Sequence, residues 1–225
     1  MVHKVFSLSH PFHLLIIDDG SPDGTAQKVK ALQQIFPDKL FLIERSGKQG
    51  LGTAYIAGFK WALQKNYKFI FEMDCDFSHN PDDLLRLYNA CNNDGNDIAV
   101  GSRYVEGGGF VNWPKDRIRL SKNASLYVNL VTWIGIKDPT AGFICYTRKV
   151  LETIDLDKIR FVGYAFQIEM KFAARKLGFK IVEVPIIFTE RVEGVSKMSR
   201  NIIKEGIIGV LQIQLNSFFS NYRKK

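Results

Sequence analysis

The chain has 225 residues, 46% of them hydrophobic, which suits one soluble globular domain with a sizeable core and at most a small appendage. A formal charge of +8 and a pI near 9.3 favour an anionic partner, whether phosphate groups, an acidic membrane face or nucleic acid, and composition does not choose among them. A membrane-spanning helix is excluded because there is no run of about 20 apolar residues. The start lacks the apolar core of a secretory leader, and Cys75, Cys91 and Cys145 fall in no metal-ligand spacing, which fits a reduced cytosolic setting.

In chain order, Met1–Ser9 reads as the tail of a helix before Pro11. Phe12–Ile17 is a continuous apolar run, expected to be a strand buried on both faces. It ends in Asp18–Asp19–Gly20–Ser21–Pro22–Asp23–Gly24–Thr25, a turn into a helix reaching about Phe36. Lys39–Glu44 is a second strand, and Gly47–Lys48–Gln49–Gly50–Leu51–Gly52 opens a helix carrying Tyr55, Phe59, Trp61 and Leu63. Lys68–Met73 is a third strand, Pro81–Asn92 a helix with Leu84, Leu85, Leu87 and Tyr88 on its apolar side, and Asp97–Ser102 a fourth strand.

This alternation predicts right-handed βαβ units around a mostly parallel sheet flanked by helices. Beyond Ser102 the pattern loosens. Arg103–Gly109 reads as a mobile glycine-rich loop, and Pro114 to about Ile134 as a helix with Lys115, Arg117, Arg119 and Lys122 clustered at its start. Asp138–Phe143 is a turn into a short strand, and Phe166–Leu177 a helix stopped by Gly178. Ile181–Phe188 is one strand, Arg191–Lys197 a polar loop, and Asn201 to about Phe219 an apolar helix followed by Arg223–Lys224–Lys225. The expected division is a catalytic domain over residues 1–198 and an appended helix with a basic tail over 199–225.

The stretch around which the chain is organised is Phe69–Pro81, where a strand ends in Asp74–Cys75–Asp76. Asp74 and Asp76 stand at i and i+2, a spacing that puts both on one face, and at the end of the strand both can turn towards one open point. That makes an open oxygen-ligand site for a hard divalent cation that must also hold phosphate; the plainer reading is a helix cap beside a surface acid. Ligands bind outside the carboxyl ends of parallel strands, and Asp18, Asp19, Asp74 and Asp76 are all expected there. Four acids on one sheet edge repel one another unless a cation or ligand joins them. Arg117, Arg119, Arg191 and Lys197 supply the positive charge that two phosphate-bearing substrates require, or else are solvated surface cations. None of the four histidines looks like a general base, and a phosphate nucleophile needs none.

Ile16–Thr25 (I-I-D-D-G-S-P-D-G-T), Gly47–Phe59 (G-K-Q-G-L-G-T-A-Y-I-A-G-F) and Met73–Leu84 (M-D-C-D-F-S-H-N-P-D-D-L) closely resemble family 2 glycosyltransferases. G-S-R-Y-V-E-G-G-G, N-W-P, D-P-T-A-G-F and R-V-E-G-V-S-K-M-S resemble the dolichol-phosphate (polyprenol-monophosphate) mannose synthase branch, so the likeness runs from about Phe12 to Ser199. It implies a glycosyltransferase A fold and an inverting transfer of mannose from GDP-mannose to a polyprenyl phosphate. The nucleotide sugar would lie on Ile17, Asp18, Asp19, Asp74, Cys75, Asp76, Arg191 and Lys197. Asp74 and Asp76, with Ser78, would hold Mg2+ or Mn2+. Arg117, Arg119 and Ser121 would meet the acceptor phosphate, with Asp76, Arg117, Gln167 and Glu169 as the catalytic set.

The same resemblance lacks one part. The family opens on a strand ending in a P-T-Y-N-E-like turn that walls the nucleotide base, which nothing here matches, so the chain is expected to begin partway into the family's domain. A lipid acceptor also implies a peripheral position at the cytoplasmic face of a membrane, through the last helix or a membrane-anchored partner, and no nucleic-acid partner. That helix fits a core role equally well. Three alternatives stay open: sugar transfer from a UDP-sugar, a non-catalytic nucleotide-sugar binder, and a haloacid-dehalogenase-type phosphatase. The last is weakened by the two βα units that precede D-C-D-F-S.

Overall fold

A computed structural model of the chain describes residues 1–190, 200–219 and 221–224. Arg191 and Lys197, assigned above to the donor, lie outside the described residues. The order begins α1 (Val2–Phe6), β1 (Leu14–Asp18), α2 (Thr25–Ile35), β2 (Leu40–Glu44), α3 (Leu51–Gln64), β3 (Phe69–Glu72), α4 (Asp83–Asn92) and β4 (Ile98–Ser102). It continues with β5 (Gly109–Val111), α5 (Lys115–Thr132), β6 (Ile144–Thr147), α6 (Arg148–Thr153) and α7 (Ala165–Lys176). Then come β7 (Ile181–Pro185), β8 (Ile187–Thr189) and α8 (Arg200–Asn216). The short α6 was not foreseen.

The described strands form three sheets: β1 with parallel β2, a central sheet ordered β3-β6-β4-β7, and parallel β5 with β8. Three ladders are parallel, but β6 runs antiparallel between β3 and β4, which the βα rhythm of the first hundred residues gives no reason to expect. The expected single strand Ile181–Phe188 divides at buried Ile186, so that its second half joins β5 instead of the central sheet.

Period-two alternation sorts the central sheet's side chains onto two faces. Ile98, Val100, Ile144 and Tyr146 point into a large core with Phe59 of α3, Val128 of α5, Phe166 and Met170 of α7, and Val210 and Ile213 of α8. Ala99 and Cys145 point the other way, onto Leu84, Leu87 and Cys91 of α4. β1 is only partly buried along Leu14–Ile17, not enclosed on both faces as its apolar run predicts. α7 does stop at Gly178, where a φ of 83° lets the Gly178 and Phe179 N–H groups return to the Arg175 and Ala174 carbonyls.

Candidate active site

Two turns at strand ends carry the acids. After β1, the Asp18 carboxylate accepts the Gly20 and Ser21 backbone N–H groups, each at 3.1 Å. Hydrogen bonding by the Ser21 hydroxyl and by these backbone groups holds its pKa below the usual range. Asp19 is gripped by Arg45 through both oxygens, at 2.6 and 2.7 Å, and Arg45 also donates to Thr53 of α3 at 2.8 Å. This fork ties the β1 turn to the glycine-rich start of α3. Ile17, given to the donor by resemblance, packs its side chain against Gly58 of α3.

After β3 the backbone turns over within five residues. The Ser78 N–H donates to Asp76 Oδ1 at 3.0 Å, and Phe77 takes a φ of 62°, so the chain doubles back and leaves Cys75 exposed between the two acids. His79 is buried between the rings of Phe143 and Phe188, and its Nδ1 accepts the Asp74 N–H at 3.3 Å. Burial and the neighbouring Arg103 push its pKa down to about 4, so the neutral ring that can accept this bond persists at neutral pH. The sequence reading set this histidine aside as no general base; the structure makes it the pin of the Asp74–Asp76 loop.

Ser78 is buried in the same turn, its carbonyl accepting Thr189 N–H of β8 at 3.1 Å. Among the described residues no three His, Cys, Asp or Glu side chains form a ready-made metal cage. Two carboxylates on one turn, both hard oxygen donors, fit a divalent cation whose other ligands come from water and a diphosphate.

Behind this loop lies a buried polar layer that sequence reasoning missed. Glu72, the last residue of β3, accepts the Tyr146 hydroxyl at 3.0 Å and is pushed to a higher pKa by burial. Lys171 of α7, fully buried, donates to the Ala141 and Gln167 carbonyls at 2.7 and 3.0 Å, and burial lowers its pKa. The Gln167 amide lies beside Glu72 without closing a hydrogen bond. Glu169 faces elsewhere: it accepts the Arg160 and Phe161 N–H groups at 2.8 and 3.0 Å and the Tyr222 hydroxyl at 3.4 Å. Tyr222 thereby ties the C-terminal tail to α7, and the expected Gln167–Glu169 pair is split between two surroundings.

The loop read as mobile at Arg103–Gly109 is nailed at its first residue. Arg103 donates to both oxygens of buried Asp138 at 2.7 and 2.6 Å, with Thr140 at 2.9 Å completing the contact. The rings of Tyr104, Phe110, Trp113 and Phe188 surround the guanidinium at 5.5 to 5.9 Å. Gly108 has no room for a side chain, since a Cβ there would sit 2.6 Å from the Ser102 carbonyl.

Of the residues expected at the acceptor phosphate, all lie at the start of α5. Arg117 stacks over Trp113 at 4.0 Å and donates to the Glu190 carboxylate at 2.8 and 2.6 Å. Arg119 is exposed and paired with Asp116, while Ser121 is half-buried.

Residues 1–155 match the model of Glycosyl transferase family 2. The chain is 46% identical over 212 residues to a polyprenol monophosphomannose synthase of Mycolicibacterium smegmatis, covering 94% of this chain and 80% of that protein. It is 42% identical to an undecaprenyl-phosphate mannosyltransferase of Micrococcus luteus, covering 94% and 86%. Among solved structures it resembles glucosyl-3-phosphoglycerate synthase of Mycobacterium tuberculosis in complex with Mn2+, UDP and glucosyl-3-phosphoglycerate, with a TM-score of 0.63 at 16% identity, over 91% of this chain and 69% of that one.

Proposed function

The chain belongs to glycosyltransferase family 2, with the glycosyltransferase A fold, and from that membership we propose that it transfers mannose from GDP-mannose to a polyprenyl phosphate, releasing GDP and inverting the sugar carbon. The observation that carries this reading is the identity of 46% and 42%, over 94% of the chain, to two relatives named for making polyprenol monophosphomannose and for mannosyl transfer to undecaprenyl phosphate.

The roles follow from the chemistry. The acceptor phosphate is an anion near neutral pH and attacks without a strong base. The difficult event is departure of the diphosphate. Asp74 and Asp76 would hold Mg2+ or Mn2+, which when bound neutralises charge on the leaving group. Neutral His79 keeps their loop fixed by accepting the Asp74 N–H. Arg117 is the acceptor's anchor: a phosphate reaching its guanidinium takes the place of the Glu190 carboxylate, both of whose oxygens accept from Nη1.

The lipid acceptor requires a membrane, and two adjacent helices offer a face for one. On α5, Leu126, Leu130 and Trp133 recur at helical spacing on the outside, with Trp133 81% exposed. On α8, Ile208, Leu211 and Leu215 do the same, followed by exposed Phe218 and Phe219. The helices touch, with the Tyr127 hydroxyl donating to the Ile207 carbonyl at 2.9 Å. No described helix is long and apolar enough to cross a bilayer; in this reading the face lies flat on a membrane, at its cytoplasmic side.

A panel of radiolabelled nucleotide sugars against one polyprenyl phosphate tests the reading. Label should pass into the organic phase from GDP-mannose; transfer only from a UDP-sugar, or donor binding with no turnover, would overturn it.

A further inference from the structure

The C-terminal tail is built into the core. Tyr222 is 4% exposed, and its ring lies edge-on to Phe172 of α7. Backbone bonds fasten the tail around it, Asp155 N–H to the Tyr222 carbonyl at 2.7 Å and Lys224 N–H to the Thr153 carbonyl at 2.8 Å. The Tyr222 hydroxyl donates to one oxygen of Glu169, and the Arg160 and Phe161 N–H groups donate to the other. Glu169 is 1% exposed; burying a carboxylate is costly, and these three donors offset the cost.

The segment that begins with those two N–H groups lies against the start of α3. Gly52 N–H donates to the Val162 carbonyl at 2.8 Å, and a Cβ on Gly50 would come within 2.9 Å of the same oxygen. On the other side a Cβ on Gly209 of α8 would meet the Phe161 ring at 3.0 Å. Next to Gly52, Thr53 accepts from Arg45, which holds Asp19 through both oxygens. Contacts thus run from the tail to the β1 turn through segments distant in sequence. Close packing leaves such a path little slack to absorb a shift.

We infer that Glu169 and Tyr222 are positioning residues for donor binding: they fix the 160–162 segment against the start of α3, and so aim the Arg45 fork and Asp19. The inference rests on the reading that Asp19 meets the nucleotide sugar, and it gives Glu169 a role at a distance in place of the catalytic one expected from sequence.

Variants of the full chain test this. Glu169→Leu removes the acceptor, and KM for GDP-mannose should rise roughly threefold or more while KM for polyprenyl phosphate stays unchanged. Glu169→Gln should restore the donor KM, because one amide oxygen can still accept both N–H groups. Loss of folded protein alone would lower the apparent kcat and leave both KM values as they are. An unchanged donor KM in folded Glu169→Leu, or equal rises in both KM values, overturns the inference. So does a Glu169→Gln enzyme as impaired as Glu169→Leu, which would mark a carboxylate used in the chemistry. If Glu169→Leu does not fold, Tyr222→Phe decides by the same donor KM. In an Arg45→Met background, Glu169→Leu should add nothing to the donor KM, and additive effects refute the path through Arg45. Hydrogen exchange without substrates keeps the inference apart from the reading beneath it. Glu169→Leu should speed exchange in peptides covering 45–56 but not in those covering 81–92, and equal exchange in both refutes the positioning role. Faster exchange confined to 45–56, in a protein whose unmodified form turns over no GDP-mannose, upholds the positioning and places the failure in the donor reading.

Discussion

Arg103 and Asp138 form a buried pair in which each charge depends on the other. Taking the guanidinium away leaves a fully buried carboxylate with only backbone and Thr140 contacts. The loss from one-sided removal of a buried pair is about 3–5 kcal/mol. Arg103→Met should therefore lower the unfolding free energy by that amount, and the urea midpoint with it, far more than Arg119→Met, whose pair with Asp116 is exposed. Equal midpoints would show that the aromatic cage, not the ion pair, holds the segment. In the role proposed for Arg117, Glu190 would compete with the acceptor phosphate for its guanidinium. Glu190→Gln removes the competing charge and should lower KM for polyprenyl phosphate several-fold; a raised KM would mean that the pair shapes Arg117 for its ligand.

Some of this residue chemistry was readable beforehand. Asp18, Asp19, Asp74 and Asp76 follow apolar runs, and a run that ends in acids and turn residues announces a strand's carboxyl end. Nothing comparable marks Lys171, Glu72 or the Arg103–Asp138 pair, because each needs a partner 30 or more positions away. His79 stands in the right loop, but its anchoring role is hidden for the same reason: its partners are the Asp74 backbone and two rings from distant positions.

At the scale of elements, local signals placed β1 to β4 and α2 to α4 within a few residues, because apolar period, glycine stops and proline starts act within one element. Where a strand pairs is another matter. β6 entering antiparallel and β7 separating from β8 at Ile186 are settled by which edges are free after the other strands have paired. The start of α3 shows how tightly the elements then fit. A Cβ on Gly52 would lie 2.7 Å from the Phe161 carbonyl oxygen and from the Phe166 ring. Overpacking of this kind costs about 1–3 kcal/mol, more than the roughly 0.5–1 kcal/mol that alanine returns in helix propensity. Gly52→Ala should thus lower the thermal midpoint. It should also weaken donor binding if the shift reaches the Thr53–Arg45–Asp19 contact. A raised midpoint would show that the α3 start yields freely.

At the scale of the molecule, charge and apolar surface suit the two phosphate-bearing substrates proposed above, one of them lipid. The α5–α8 face is contiguous, and patches of this kind mark interaction surfaces. Leu130→Glu with Leu215→Glu should reduce binding to vesicles containing acidic lipid at least tenfold while leaving the unfolding free energy within about 0.5 kcal/mol, since both side chains are exposed. Undiminished vesicle binding would move the membrane contact elsewhere.

The central claim is a divalent-cation-assisted mannosyl transfer at the Asp74–Asp76 loop. Its most direct test is the rate at which mannose from GDP-mannose enters the organic phase with polyprenyl phosphate, measured for the unmodified enzyme and Asp76→Asn, with excess chelator and after Mn2+ is restored. The expected result is loss of transfer with chelator, recovery on adding metal, and a folded Asp76→Asn protein that metal does not rescue. Full transfer in excess chelator, or by Asp76→Asn, would contradict the account.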